Sequence, residues 1–284
     1  MVAVISSASP SGAGLRFDPV LADRVIEAVL LAGLPVAFGG HGPGVQLRPA
    51  EPLDDRDRCA GLIALHWEPS ARLASAAAME QPQQPAFRAR QVVSASMVNA
   101  LGEFLPALGI TVERSKPGWE TRVHGTSGPG PAANSRALPR SSPGRIPPGL
   151  EFSPGLVTSL RRSAALAALP VAALPGEPGI TLGPCSSADL EDSLEGGLEH
   201  GLEDDRITVA SVGWNPSRRL SALADSDTPT AASAVKSRTA VRNAMLHALG
   251  AVLGACGTSA LWHRRRQPYQ LRVTGASGQP PIRY

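Results

Sequence analysis

The sequence predicts an α+β protein made of two tandem duplicated units. The first observation is a repeat at a constant offset of 135 residues, in which 14 of the 36 positions in residues 15–50 recur in residues 150–185. The second is an apolar, strand-like segment that ends in Trp-x-Pro-Ser-x-Arg-Leu and occurs twice, at Trp67 and at Trp214. The third is an apolar stripe at helical spacing in each half. Together these observations predict two units with the same order of elements.

The predicted organisation divides the 284 residues into five parts. They are a tail at 1–14, a first α+β unit at 15–125, a linker rich in Gly, Pro and Ser at 126–149, a second α+β unit at 150–278 and a tail at 279–284. The second unit contains an insertion at 186–205 with eight acidic residues and no basic one. We expect this insertion to be a solvated loop, and the alternative is that it folds on a partner.

Each unit is predicted to run α-β-β-β-α-β-β, beginning with a capped helix. Asp18 suits the N-cap position because its carboxylate accepts from free amides of the first turn, and Pro19 suits the first helical position. Ser153 takes the place of Asp18 in the second unit. The elements that follow in the first unit are a strand at 34–38, a glycine-rich turn at 39–44 and a strand at 45–48. We interpret the turn as a hairpin and not as a phosphate-binding loop, because a strand and not a helix follows it.

The remaining predicted elements are the Trp-x-Pro-Ser strand, a proline-rich loop, a long helix and two closing strands. The long helix shows apolar residues at helical steps, which would bury one face and leave Arg90 and Arg238 at its start. Gly109 and Gly257 follow the two stripes and suit left-handed helix ends. We expect two helices of each unit to pack on one face of a mainly antiparallel sheet. The stripe residues are Val93, Met97, Leu101, Phe104, Leu105 and Leu108, and then Val241, Met245, Leu249, Val252, Leu253 and Cys256.

Composition and spacing argue against several classes of function. The three cysteines have no short spacing typical of zinc sites or disulfide frameworks, so we predict no metal and no cofactor. None of the six histidines has a histidine at the equivalent position of the other half. The best approximation to a catalytic set, His66, Glu68 and Arg122, requires that these residues converge in the fold. The sequence shows no segment typical of a signal peptide or of a membrane span, so we expect a non-enzymatic, cytoplasmic protein. The frequent use of Arg, Ala, Gly and Pro is typical of a high-GC bacterium.

The residues kept in both halves are candidates for a contact surface. A tryptophan at a strand end packs its ring and leaves its N–H for a partner, whereas the alternative is that it only plugs the sheet edge. Four arginines are also kept in both halves: Arg72, Arg122, Arg219 and Arg272. If their side chains converge, they would bind an acidic partner or a phosphate; otherwise they are solvated, with their aliphatic stems lying on the sheet. The candidate contact residues are Trp67, Ser70, Arg72, Arg122, Trp214, Ser217, Arg219 and Arg272.

These features predict a non-enzymatic interaction or regulatory protein with a protein partner, whose two units pair within one chain as a pseudo-dimer. The alternative is a nucleic-acid-binding protein that uses segment 236–283, which contains eight basic residues and no acidic one. The candidate nucleic-acid contacts are Lys236, Arg238, Arg242, Arg264, Arg265 and Arg266.

Overall fold

The computed structural model describes most of both predicted units. The described residues are 18–37, 42–50, 62–79, 81–114, 120–128, 152–174, 176–185, 202–203, 206–207, 209–263 and 270–276. The predicted tails, the linker beyond residue 128 and most of the acidic insertion lie outside these ranges.

Within the described residues each half of the chain forms three helices and one four-stranded sheet. The first half contains α1 (Pro19–Leu31), β1 (Gly44–Pro49), β2 (Ile63–Glu68), α2 (Ala71–Met79), α3 (Pro85–Phe104), a 3-10 turn (Leu105–Leu108), β3 (Ile110–Arg114) and β4 (Thr121–Thr126). The second half contains α4 (Pro154–Ala167), β5 (Gly179–Pro184), two short strands β6 (Leu202–Glu203) and β7 (Arg206–Ile207), β8 (Ala210–Asn215), α5 (Arg218–Ala224), α6 (Ala231–Ala255), β9 (Thr258–His263) and β10 (Gln270–Ala276).

The two four-stranded sheets have the same strand order. The first runs β1-β2-β4-β3 and the second runs β5-β8-β10-β9, and all their neighbouring strands are antiparallel. The register places Val45 opposite Trp67 in the first sheet and Ile180 opposite Trp214 in the second. The predicted α+β class and antiparallel sheets are therefore confirmed, and the matching order is consistent with a duplication.

The predicted strand at 34–38 and the hairpin after it are wrong as far as residues 34–37 and 42–48 show, and residues 38–41 lie outside the described ranges. Val36 makes only an isolated bridge to Val45, and this bridge is parallel, whereas a hairpin would make it antiparallel. Pro35 supplies no N–H to a ladder, but its carbonyl accepts from Val45 at 2.9 Å. Gly44 allows this approach, because a Cβ added there would lie 2.6 Å from the carbonyl oxygen of Pro35.

Helices α2 and α5 occupy residues that the sequence interpretation assigned to the start of a proline-rich loop. Each begins directly after the Trp-x-Pro-Ser segment. Ser70 accepts a hydrogen bond from the backbone N–H of Leu73, and Ser217 accepts one from Leu220, both at 3.3 Å. These serines act as N-caps, and the alanine-rich run in α2 has high helix propensity and buries Leu73 and Ala77. Each half therefore runs α-β-β-α-α-β-β apart from the β6–β7 insertion.

The predicted stripes lie on the long helices and on the residues that directly follow them, namely the 3-10 turn after α3 and Cys256 after α6, and every stripe residue is buried. Both helices begin earlier than predicted, at Pro85 and Ala231, so Arg90 and Arg238 lie inside them. Gly109 and Gly257 have the expected left-handed conformation, with φ of 81° and 92°. The long helices contact each other across the two halves more extensively than any other pair of elements.

The first-turn caps of α1 and α4 differ. Asp18 accepts from the N–H of Val20 at 3.0 Å, as predicted. Ser153 occupies the N-cap position of α4, as predicted, but its side chain makes no capping hydrogen bond.

Buried side chains of both halves form one continuous hydrophobic cluster. It includes Val25, Leu65 and Met97 of the first half together with Leu160, Val212 and Met245 of the second. The two halves are thus held together by shared burial, which is the main source of folding stability.

None of the helices in the described ranges is both long enough and apolar enough to span a membrane.

Candidate functional site

Trp67 and Trp214 connect each half of the molecule to the other. Trp67 at the end of β2 is 2% exposed, and its indole Nε1 donates to the carbonyl of Ala167 at 3.0 Å. Trp214 at the end of β8 is 0% exposed, and its Nε1 donates to the carbonyl of Ala32 at 2.8 Å. Ala32 and Ala167 are equivalent positions of the sequence repeat, so the two contacts are reciprocal.

The serines of the same motif add a second reciprocal pair of bonds. The backbone N–H of Ser70 donates to the carbonyl of Leu166, and that of Ser217 donates to the carbonyl of Leu31, both at 3.0 Å. We call the four residues Trp67, Ser70, Trp214 and Ser217, with the carbonyls they contact, the reciprocal clamp. A buried indole N–H needs an acceptor, and the last carbonyls of a helix lack intrahelical donors. In the clamp, the indole and serine N–H groups of each half find their acceptors in the helix-end carbonyls of the other half, so both groups are satisfied.

The ends of α1 and α4 are shaped to present these carbonyls. Gly33 follows α1 with φ 82°, and Ala168 follows α4 with φ 62° at the equivalent position. A Cβ added at Gly33 would lie 3.0 Å from Cβ of Pro178 and 3.2 Å from the carbonyl oxygen of Asn215. The left-handed turn therefore brings the end of α1 close to the strand exit of the other half.

Arg219 makes the next contact between the halves. Its Nη1 lies 3.3 Å from Oε1 of Glu27, and the same carboxylate lies 3.3 Å from Nη1 of Arg24. At the equivalent place in the other half Arg72 is exposed on α2, and the position of Glu27 is taken by Arg162 of α4. Arg219 therefore has an acidic partner in the other half, whereas the position that faces Arg72 in the repeat holds an arginine.

Arg122 and Arg272 do not join the reciprocal clamp, because they lie on the opposite faces of their sheets. Arg122 is paired in register with Ala64, whereas Trp67 belongs to the alternate set of residues that faces the helices. Arg122 is 3% exposed and its Nε donates to Oε1 of Glu120 at 2.7 Å, while Arg272 is 6% exposed. The predicted contact set is therefore divided between two surfaces.

The outer face of the first sheet also holds His66, whose Nε2 lies 3.6 Å from Oε2 of Glu120. His66 and Arg122 thus share a face and a carboxylate, while Glu68 instead pairs with Arg90 at 3.3 Å. The sequence interpretation missed Glu120 because the equivalent residue in the second half is glutamine. His66 is replaced by Gly213 there, and only the arginine is kept.

The basic residues proposed for nucleic acid are distributed unevenly. Lys236 and Arg242 are exposed on α6. Arg238 is paired with Asp225 through its Nη1. Arg264, Arg265 and Arg266 lie outside the described residues. Among the described members, the two exposed cations on α6 are the ones available to a phosphate backbone.

A buried hydroxyl network links α4 to β9 and was missed from the sequence. The hydroxyl of Thr258 lies 2.7 Å from that of Ser163 and 3.0 Å from that of Ser159, and Ser163 donates to the carbonyl of Cys256 at 3.0 Å. Burial raises the pKa of the Cys256 thiol to about 12, so this cysteine is a neutral thiol at physiological pH. The equivalent residues of the first half include Ala28 and Ile110, so no repetition revealed this network.

Within the described ranges, no three His, Cys, Asp or Glu side chains come together as a metal-binding group. A scan against protein-family models and searches of curated proteins and of solved structures found no match for the chain.

Proposed function

We propose that this protein is a non-enzymatic interaction or regulatory module in which a duplicated unit forms a pseudo-dimer within one chain. The reciprocal clamp is the observation that supports this proposal. In a twofold dimer each subunit offers the same residues to the same surface of its partner, and Trp67, Ser70, Trp214 and Ser217 meet that description between halves.

The use of the repeated residues also favours binding over catalysis. Residues kept in both halves are the best candidates for a shared ancestral role, and the most prominent of them hold the halves together. The outer sheet faces have meanwhile diverged, since His66 and Glu120 of the first half are replaced by Gly213 and Gln270 in the second. Because the clamp fixes the two halves relative to each other and their outer sheet faces differ, the two faces together suit a single protein partner that contacts both halves.

This function can be tested by affinity capture with the tagged full-length chain, followed by titration calorimetry with each purified candidate partner. We expect saturable binding that weakens by about tenfold in the variant Trp67→Phe/Trp214→Phe, because this change removes two hydrogen bonds that fix the halves. Trp262→Phe is the matched control, since Trp262 packs against His247 within the second half. If no captured protein binds the purified chain saturably, the proposal fails.

Nucleic-acid binding is the second candidate, and exposed Lys236 and Arg242 favour it. The test is retention on heparin and a mobility shift with DNA and RNA at about 50 mM salt, where phosphate contacts are strongest. Lys236→Glu/Arg242→Glu should abolish any shift. Arg88→Glu is the control, because Arg88 holds on α3 the position of Lys236 on α6. Without a shift at that salt concentration this candidate is excluded.

A further inference from the structure

Helix α1 presents an outer surface that is both apolar and acidic. Val20 is 68% exposed and Leu30 is 48% exposed, although both are large apolar side chains. Asp23 and Glu27 lie between them at steps of three and four residues, so all four side chains share one side of the helix. We call these four residues the α1 outer face. Exposed apolar side chains that share one side of a helix and are accompanied by charges are typical of a contact surface.

Helix α4 presents a complementary surface at the equivalent place in the second half. Two small exposed residues, Gly155 and Ala165, take the positions that hold the exposed apolar pair in α1. Arg161 is exposed and Arg162 is half-buried on the same helix. We call these four residues the α4 outer face. It offers space and positive charge where the α1 outer face offers bulk and negative charge.

The charges of the two helices are opposite in sign. Helix α1 together with its N-cap Asp18 contains three acidic residues and one arginine, a formal charge of −2. Helix α4 contains two arginines and no acidic residue, a formal charge of +2. Opposite charges on two surfaces favour their encounter and fix their relative orientation. Since the exposed residues of both faces are open to solvent within one chain, these faces are available to each other between two chains.

We propose that the α1 outer face of one chain binds the α4 outer face of a second copy of the chain. Val20 and Leu30 are ten residues apart, and so are Gly155 and Ala165. In an antiparallel packing of the two helices, each bulky side chain therefore lies at the level of a small residue, which allows the helix axes to approach closely. The opposed helix macrodipoles favour the same direction of packing.

The antiparallel packing also brings opposite charges together. When Val20 lies at the level of Ala165, Asp23 lies at the level of Arg162 and next to Arg161. The carboxylate of Glu27 is already bound by Arg24 and Arg219 of its own chain. Asp23 and Arg161 are the exposed charges of the two faces, so they supply the ion pair between chains. This contact goes beyond the proposed function, because it requires a second copy of the chain and no other protein.

The experiment is sedimentation velocity of the full-length chain across the micromolar range of concentration. We expect reversible self-association that weakens as salt is added, because exposed charges are screened. Asp23→Arg and Arg161→Asp should each weaken it by about tenfold, because each change places like charges opposite each other. Both positions are exposed, so the variants should retain the far-UV circular dichroism of the wild type.

An equimolar mixture of these two variants gives the sharpest result. One variant has arginine at both positions 23 and 161, and the other has aspartate at both. Each therefore repels a copy of itself at the contact but offers opposite charges to the other variant. The mixture should regain the association of the wild type, which a general effect of net charge or a loss of folding in either variant would not produce.

Matched controls separate this contact from other exposed residues. Asp227→Arg changes the net charge as much as Asp23→Arg, at an exposed position outside both helices, and should associate as the wild type does. Leu30→Ser should weaken association, whereas Leu261→Ser should not, although Leu261 on β9 is 51% exposed. A wild-type chain that is monomeric throughout the range, unchanged association in Asp23→Arg, or a mixture that does not regain association would overturn the proposal.

Discussion

Gly33 and Ala168 show how one residue controls the end of a helix at the reciprocal clamp. Both have positive φ, at 82° and 62°, and Ala168 is the one non-glycine residue with positive φ among those described. A left-handed conformation costs an alanine about 1–2 kcal/mol, because its Cβ approaches the following carbonyl. The second half therefore stores strain at a position where the first half does not.

Replacing Ala168 with glycine should stabilise the protein. The gain from relieved strain, about 1–2 kcal/mol, is offset in part by the greater entropy of glycine in the unfolded chain, which leaves a net increase in unfolding free energy of about 0.5–1 kcal/mol. Urea unfolding followed by circular dichroism measures this difference.

The opposite change, Gly33→Ala, should destabilise the protein by about 2 kcal/mol or more. It adds the same strain, and the new Cβ would also lie 3.0 Å from Cβ of Pro178. If both substitutions changed the unfolding free energy by the same amount and in the same direction, or if Ala168→Gly lowered it, then φ at these helix ends would not control the stability of the protein.

At the scale of elements, the clamp depends on buried indole N–H groups. Trp67→Phe and Trp214→Phe keep an aromatic ring but leave the carbonyl of Ala167 or of Ala32 without its indole donor. Each variant should lose about 1–3 kcal/mol of unfolding free energy, and the two losses should be similar because the bonds have similar lengths. Thermal and urea unfolding test this, and Trp262→Phe serves as the control.

The elements that the sequence predicted well are those whose signal is local. The stripe from Val93 to Leu108 repeats at helical spacing, so α3 was recognisable without tertiary information. Helix α2 was missed because it is short: it has 9 residues, of which Leu73 and Ala77 are buried, so its apolar signal covers little sequence. The strand predicted at 34–38 does not form in its described part, residues 34–37, since Pro35 removes a ladder donor and Val36 alone of these four forms a bridge.

The candidate site was less predictable than the fold. The sequence singled out Trp67 and Ser70 through repetition, yet the groups they bind are backbone carbonyls, which leave no trace in residue identity. Ala167 is 100 residues from Trp67, and Ala32 is 182 residues from Trp214. The opposite faces taken by Trp67 and Arg122 follow from strand register, which the sequence did not define.

At the scale of the whole molecule, the two halves are expected to behave as one cooperative unit. The hydrophobic cluster is continuous across them, and the long helices α3 and α6 form the most extensive contact between elements. A half without its counterpart would expose this apolar surface to water. The contacts between the halves therefore hold them together. The covalent linker contributes separately, because it raises the effective concentration of one half near the other.

Cleavage of the chain within the segment 126–149 tests this directly. With a protease site placed there, we expect the cut protein to elute from a gel-filtration column at micromolar concentration as one complex of both halves, at the position of the intact chain. The clamp bonds and the α3–α6 contact do not depend on the linker, and loss of covalent connection costs only the effective-concentration term. The same cut in Trp67→Phe/Trp214→Phe should shift the equilibrium toward separated halves. Elution of the cut wild-type protein as two separate fragments would mean that the halves are independent domains, and the description of the molecule as a pseudo-dimer would then be wrong.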